Sequence, residues 1–212
     1  HNDNSITALR DIPGLVVGCP SRGDDAVMML RTLAALARVD GRVAVFLEPI
    51  ALYMSKDLHE AGDGQWLFDF PAQGQSLVPG EGRVYAPEAG DLVIYTYGNG
   101  VPMALRASRA IEQQLGWQVR VVDLRWLVPL DAGFIAARAA GARRVLVLDE
   151  GRHSGGVGEG VVTALVEAGF GHLPLRRVCG ADTYTPLAGA AMFGLPSDNA
   201  VIGAALDLAQ EP

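Results

Sequence analysis

A histidine, carboxylates at the ends of apolar runs and a glycine-rich turn are the residues of this 212-residue sequence whose types and spacing could do chemistry. His1 stands before Asn2, Asp3, Asn4 and Ser5. An imidazole titrates near neutrality and can carry a proton, although a terminal histidine is commonly a solvated end. Glu48 closes the run Phe46-Leu47-Glu48-Pro49, where it could serve a site at a strand's carboxyl edge or satisfy an arginine or backbone donors. Asp123 and Arg125 follow another apolar run, Pro129 interrupts the chain, and Asp131 suits the N-cap of a helix. Ligands of open α/β sheets gather at strand carboxyl ends, yet an Asp–Arg pair can equally lock a loop. The last group is the turn holding Glu150, His153, Gly155, Gly156 and Gly158. Backbone N–H groups at such a turn can hold phosphate. The dinucleotide fingerprint GxGxxG fails, however, because Val161 stands three residues beyond Gly158. Close packing of strand on helix is the expectation there, with Glu150 and His153 in structural or interface contacts.

Other chemistries are excluded by composition. Lys56 is the sole lysine and follows Met54-Ser55, so no P-loop exists and a Schiff-base mechanism has a single, loop-borne candidate. Cys19 and Cys179 are the two cysteines, with no CxxC pair and no histidine cluster, and both read as buried reduced thiols. A net charge of −7 without a basic stripe argues against a nucleic-acid partner. No apolar run approaches the roughly 20 residues of a membrane span, and no signal peptide is evident. The expectation is a cytoplasmic protein, and the start at His1 suggests a piece of a longer one.

These residues need elements to position them. Residues 15–20 and 43–47 read as short buried strands, with a helix capped by Ser21 or Asp24 between them and running to about Ala37. Residues 54–90 are rich in glycine and proline and read as an irregular connection with a short strand near 82–85. Beyond Gly90 the pattern alternates regularly: strands at 92–97, 118–124, 144–148 and 175–179, and helices at 101–115, 132–140 and 157–168. Two further helices are expected near 186–192 and 198–208. Continuous apolar strands alternating with helices predict a three-layer α/β/α domain with a mostly parallel sheet.

The ordered set Pro13-Gly14-Leu15, Pro20-Ser21, Asp24-Asp25-Ala26, Phe46-Leu47-Glu48-Pro49, Asp123-Leu124-Arg125, Pro129-Leu130-Asp131, Glu150-Gly151, Gly155-Gly156-Val157-Gly158 and Gly180-Ala181-Asp182-Thr183 resembles the E1 β-subunits of thiamine-diphosphate-dependent 2-oxoacid dehydrogenases. Branched-chain and pyruvate-type enzymes, including fused αβ forms, are the most similar branch. The resemblance implies that residues 1–86 are the C-terminal half of a pyrimidine-binding domain plus linker. Residues 87–212 are then a transketolase C-terminal-like domain. It implies thiamine diphosphate and Mg²⁺ in the complete enzyme but none on this stretch alone, which would be inactive by itself. The implied partners are an E1 α portion, a second β portion and a lipoyl-bearing E2 component. His1 matches the family's catalytic histidine, although Asn2-Asp3 replaces the usual Ser-Gln type of pair. The potassium loop of some relatives matches only loosely around Asp40, and no metal is assigned. Two alternatives stand beside this reading. One is a transketolase-like or deoxyxylulose-phosphate synthase-like enzyme, with Arg152 holding a sugar phosphate. The other is a non-catalytic assembly module docking through the apolar helices near 157–168 and 198–208.

Overall fold

The computed structural model describes residues 5–211. A short helix α1 (Ile6–Arg10) precedes β1 (Val16–Gly18), α2 (Gly23–Val39) and β2 (Ala44–Phe46). A long irregular connection then runs to β3 (Arg83–Tyr85), followed by β4 (Leu92–Thr96), α3 (Gly100–Leu115), β5 (Val119–Asp123) and β6 (Trp126–Val128). Next come α4 (Ala132–Ala139), β7 (Val145–Arg152), α5 (Val157–Glu167), β8 (Leu175–Gly180), a 3-10 segment (Ala188–Phe193) and α6 (Asp198–Ala209). Among the described residues, these strands form a three-stranded sheet ordered β2-β1-β6 and a five-stranded sheet ordered β3-β5-β4-β7-β8.

In the larger sheet β5, β4, β7 and β8 are parallel, while β3 adds an antiparallel edge. Strand β4 explains the three layers. Leu92 and Ile94 face Ala104, Ala107 and Ile111 of α3 and Val201, Ala205 and Leu208 of α6. Val93 and Tyr95 face the other way, into a core with Ile135 of α4 and Val157, Val161 and Leu165 of α5. A parallel strand covered on both faces needs apolar side chains at every position, and each residue of β4 is buried. Helix α3 ends as its sequence demands: Gly116 takes the left-handed conformation at φ +68°, and its N–H bonds the Glu112 carbonyl at 2.9 Å.

The structure corrects several expectations in detail. Residues 126–128, between the expected strand at 118–124 and helix at 132–140, form β6, which pairs antiparallel with β1. The Asp123-to-Pro129 segment therefore completes the small sheet. The same core that holds Val93 and Tyr95 also takes in Ile6, Leu15, Val17 and Cys19, so the two sheets share apolar packing. Helix α2 is entered from Arg22, not capped by Ser21 or Asp24, because the Ser21 hydroxyl donates to Asp123 instead. The segment after β8 is a 3-10 turn, and α1 was missed because five residues show no periodicity. Cys19 is buried as expected, whereas Cys179 is only half-buried; both are unpaired.

An ion-pair cluster joins α2 to the end of β5. Asp25 is 0% exposed and accepts from Arg125 Nε at 2.9 Å and Nη2 at 2.7 Å. Arg83 of β3 reaches the same carboxylate at 2.8 Å, and Arg22 pairs with Asp24 at 2.8 Å. Arg125 sits at φ +58°, an uncommon backbone state that turns its side chain inward. Removing one partner of a buried pair leaves an uncompensated charge, at a cost of about 3–5 kcal/mol. Arg125→Met is therefore expected to lower unfolding stability in urea by about that much. Arg83→Met should cost clearly less, since Arg83 is partly solvated; equal losses would contradict the ranking.

Candidate functional site

The carboxyl ends of β1, β2, β4 and β7 converge on a cleft of about 530 Å³. Cys19 follows β1, Glu48 and Pro49 follow β2, Tyr97 and Asn99 follow β4, and Glu150 lies on β7. Pro186, Ala191 and Leu195, after β8, close the remaining side. Strand carboxyl ends lie here because parallel strands all point one way, and the small sheet's β1 and β2 are parallel to each other as well.

The cleft is a field of acceptors. Asn99 Nδ2 donates to both oxygens of Glu150, at 3.1 and 2.9 Å, which fixes the amide's orientation. Among the described residues, the buried Asn99 Oδ1 finds no partner. Glu48 accepts from the Tyr53 hydroxyl. Among the described residues, no lysine, arginine or histidine lines the cleft. Burial is the main cause that pushes the Glu150 carboxyl up to about 6; Asn99 opposes this and Asp149 adds to it. Burial, Asp123 and Glu150 together drive the Cys19 thiol far above its ordinary range, so it is no nucleophile near neutrality.

Behind the cleft, the glycine-rich turn is organised by a residue the sequence reading passed over. Asp149, at 1% exposure, accepts from the Tyr97 hydroxyl at 2.6 Å, Gly151 N–H at 2.7 Å and Gly158 N–H at 2.7 Å. The N-terminus of α5 thus already holds an anion, and it belongs to the chain itself. A Cβ at Gly156 would stand 2.6 Å from Asp149 Oδ2, so the glycine there serves close approach. An aspartate directly after the apolar run 145–148 and before the turn glycines is the signal that could have found it. From α1, Arg10 donates to the carbonyls of Gly155, at 2.9 Å, and Gly156.

The other singled-out residues are placed as follows. Asp123 accepts from Ser21 and from Arg125 N–H at 3.1 Å, and burial pushes it up to about 6 against those bonds. Arg125 is committed to Asp25, and Pro129 follows a cis peptide bond. Asp131 caps α4 by accepting from Phe134 N–H at 2.7 Å. His153 meets Arg177, whose guanidinium approaches the ring at 3.0 Å and the His153 carbonyl at 3.0 Å. Arg152 lies over the Tyr184 ring at 5.7 Å beside a second opening of about 500 Å³. Glu48 and Glu150 come together in the cleft, whereas Asp123, Arg125, Asp131 and His153 do not line it. His1 lies outside the described residues.

The described residues do not fit a diphosphate–Mg²⁺ group. The glycine-rich start of α5 is filled by Asp149, and among the described residues no group of three or more His, Cys, Asp or Glu could hold a metal ion. Nor is any described helix long and apolar enough to cross a membrane.

An open α/β domain with its cleft at the strand carboxyl ends is the class this geometry defines. The family model described as "Transketolase, C-terminal domain" matches residues 80–199. The chain belongs to that family. Over 214 residues it is 31% identical to the 3-methyl-2-oxobutanoate dehydrogenase subunit beta of Mycobacterium tuberculosis, covering 100% of this chain and 57% of that protein. Over 204 residues it is 33% identical to the pyruvate dehydrogenase E1 component subunit beta of Staphylococcus aureus, covering 95% of this chain and 58% of that protein. The chain thus spans well under two thirds of these relatives' length. A solved structure titled "Split gene transketolase, inactive beta4 tetramer" superposes with a TM-score of 0.72 at 22% identity, over 96% of this chain and 60% of that one, which shows the shared fold.

Because the folded-state carboxyls of Glu150 and Asp123 are raised, folding takes up protons between their ordinary range and about pH 6. Lowering the pH through that window therefore stabilises the fold. The thermal midpoint is expected to rise by a few degrees from pH 7 to pH 5. In Glu150→Gln the midpoint at pH 7 should be higher and the rise smaller. An unchanged slope in the variant would contradict the assignment to Glu150.

Proposed function

We propose that this chain is the β-type portion of the E1 component of a 2-oxoacid dehydrogenase. It would take part in oxidative decarboxylation of a branched-chain 2-oxoacid or pyruvate, with acyl transfer to a lipoyl group. The similarity that carries this reading extends over the whole chain and reaches β-subunits of both enzyme types. In it, residues 1–86 complete a pyrimidine-binding domain and 87–212 form the second domain. The chain supplies one wall of a shared site, and thiamine diphosphate with Mg²⁺ is held by portions other than the described residues. An E1 α portion, a second β portion and a lipoyl-bearing E2 are the partners. The protein works in the cytoplasm, where two unpaired cysteines are ordinary.

Two features of the described chain suit this role. Its glycine turn is satisfied internally by Asp149, so α5 is a rigid support and not a cofactor cradle. The buried pair Asp25–Arg125 and the bond Ser21–Asp123 hold the segment after β1 against the end of β5. His1 is the residue proposed to handle a proton at the site, and Glu48, Asp123, Arg125, Pro129, Asp131, Glu150, His153 and the turn glycines 155, 156 and 158 position the walls.

The assembled enzyme is expected to reduce an artificial electron acceptor with 3-methyl-2-oxobutanoate or pyruvate as donor. Activity with ketose phosphates alone would overturn this reading in favour of a transketolase-like enzyme. In that assembly His1→Ala should depress 2-oxoacid turnover by about 10²-fold, the lower end for loss of a general acid–base group, with the thermal midpoint unchanged. Unchanged turnover would remove His1 from the site.

A further inference from the structure

We propose that Arg10, aided by Thr7, is a positioning residue: it latches α1 onto the glycine-rich turn and so limits where the segment carrying His1 can reach. The inference deepens the proposed function and rests on the role given there to His1.

Helix α1 has little of its own to hold it. Its five residues make little more than one helical turn, too few to be stable alone in water. Its N-cap residue, Ser5, makes no side-chain capping bond. The helix therefore depends on docking, and its contacts define its place. Ile6 is 2% exposed in the core that holds Val157 and Val161 of α5, and Leu9 packs against the same core. Apolar contact resists removal of the helix, but it is non-directional and constrains rotation and sliding only weakly.

Direction comes from two polar side chains. Arg10 Nη1 donates to the Gly155 carbonyl at 2.9 Å and to the Gly156 carbonyl. The Thr7 hydroxyl donates to the Gly155 carbonyl at 3.0 Å. Such bonds hold only within a narrow range of distance and angle. Thr7 and Arg10 stand three residues apart, so they share a helix face and meet the turn together. The turn leaves room for them: a Cβ at Gly155 would stand 2.8 Å from Thr7 Cγ2. The turn is itself held from within, since Asp149 accepts from the Gly151 and Gly158 N–H groups. Arg10 thus passes the position of a fixed turn beside the larger sheet to a helix that precedes β1.

What α1 leads from gives the latch its purpose. His1 precedes Ile6 by five residues, a length of chain that spans at most about 18 Å when fully extended. Ser5, at the helix entrance, lines an opening of about 500 Å³ with Arg152, Asp182, Thr183 and Tyr184. Arg152 ends β7 and Asp182 follows β8, so the entrance to α1 lies at strand carboxyl ends, where open α/β sheets place their ligands. A misplacement of about 1 Å can cost a reacting group about a hundredfold in rate.

The test is a double-variant cycle in the assembled enzyme, read by steady-state kinetics with 3-methyl-2-oxobutanoate or pyruvate and an artificial electron acceptor. Arg10→Met is expected to lower kcat by about tenfold with KM within about twofold, and Arg10→Lys, which keeps a donor, to recover most of the loss. In a His1→Ala background, Arg10→Met should change kcat by less than about twofold, because the latch then has nothing left to position. Losses that multiply in the double variant, or an unchanged kcat in Arg10→Met, overturn the inference. Should Arg10→Met fail to assemble, Thr7→Val takes its place in the cycle with an expected loss of about threefold, and the same outcomes decide. A silent His1→Ala overturns the role of His1 and the latch with it, so the two failures are told apart.

Discussion

Asp25 is a fully buried carboxylate, and its two arginines decide how the rest of the molecule is arranged. An ionised group in that position is tolerable only if its counter-charges arrive in good geometry. Arg125 arrives from the end of β5 in a left-handed backbone state, and Arg83 arrives from the antiparallel edge strand β3. Meeting that requirement brings α2, β3 and the β5 end to one point. Once Arg125 is turned inward, the next residues run back along β1 as β6, and the small sheet is complete. The fold's layout follows from that constraint as much as from apolar burial. Burial alone would not choose which loop lies beside β1.

With the sheets joined, the strand carboxyl ends of both face the same cleft. Its electrostatics follow from what has been used elsewhere. Asp149 is spent on the glycine turn, Asp25 on arginines and Asp123 on Ser21. Among the described residues, Glu48 and Glu150 are the carboxylates that line the cleft. A chain so organised suits a supporting role in a shared site. The start of α5 is closed to phosphate by Asp149, and the Cys19 thiol is held protonated.

Much of the three-layer domain was legible because its signals are local. The unbroken apolar runs at 92–96 and 145–148 announce strands covered on both faces, and Asp131 and Gly116 mark helix ends by their side-chain chemistry. Strand β6 was not legible. Three residues before a proline carry no periodicity, and the pairing depends on a partner more than a hundred residues away. The same holds for the cluster: the motifs Asp24-Asp25 and Asp123-Leu124-Arg125 were visible separately, but which aspartate takes which arginine is a property of the packed chain. For the cleft, Glu48 was singled out from its strand-end position and Glu150 from the glycine-rich turn, while Asn99 and Asp149 were overlooked because amides and aspartates are common in turns. The family resemblance came from the order of the motifs, and the similarity to E1 β-subunits over the whole chain agrees with it.

Hydrogen exchange along a urea gradient tests most directly whether the buried carboxylate binds both sheets into one unit. Peptides covering β1 (Val16–Gly18) and β4 (Leu92–Thr96) report the two sheets separately. If the Asp25 cluster and the shared core join them, both peptides lose protection at the same urea concentration. If β1 opens at a clearly lower concentration while β4 stays protected, the sheets are independent, and the cleft between them is no fixed feature of the protein.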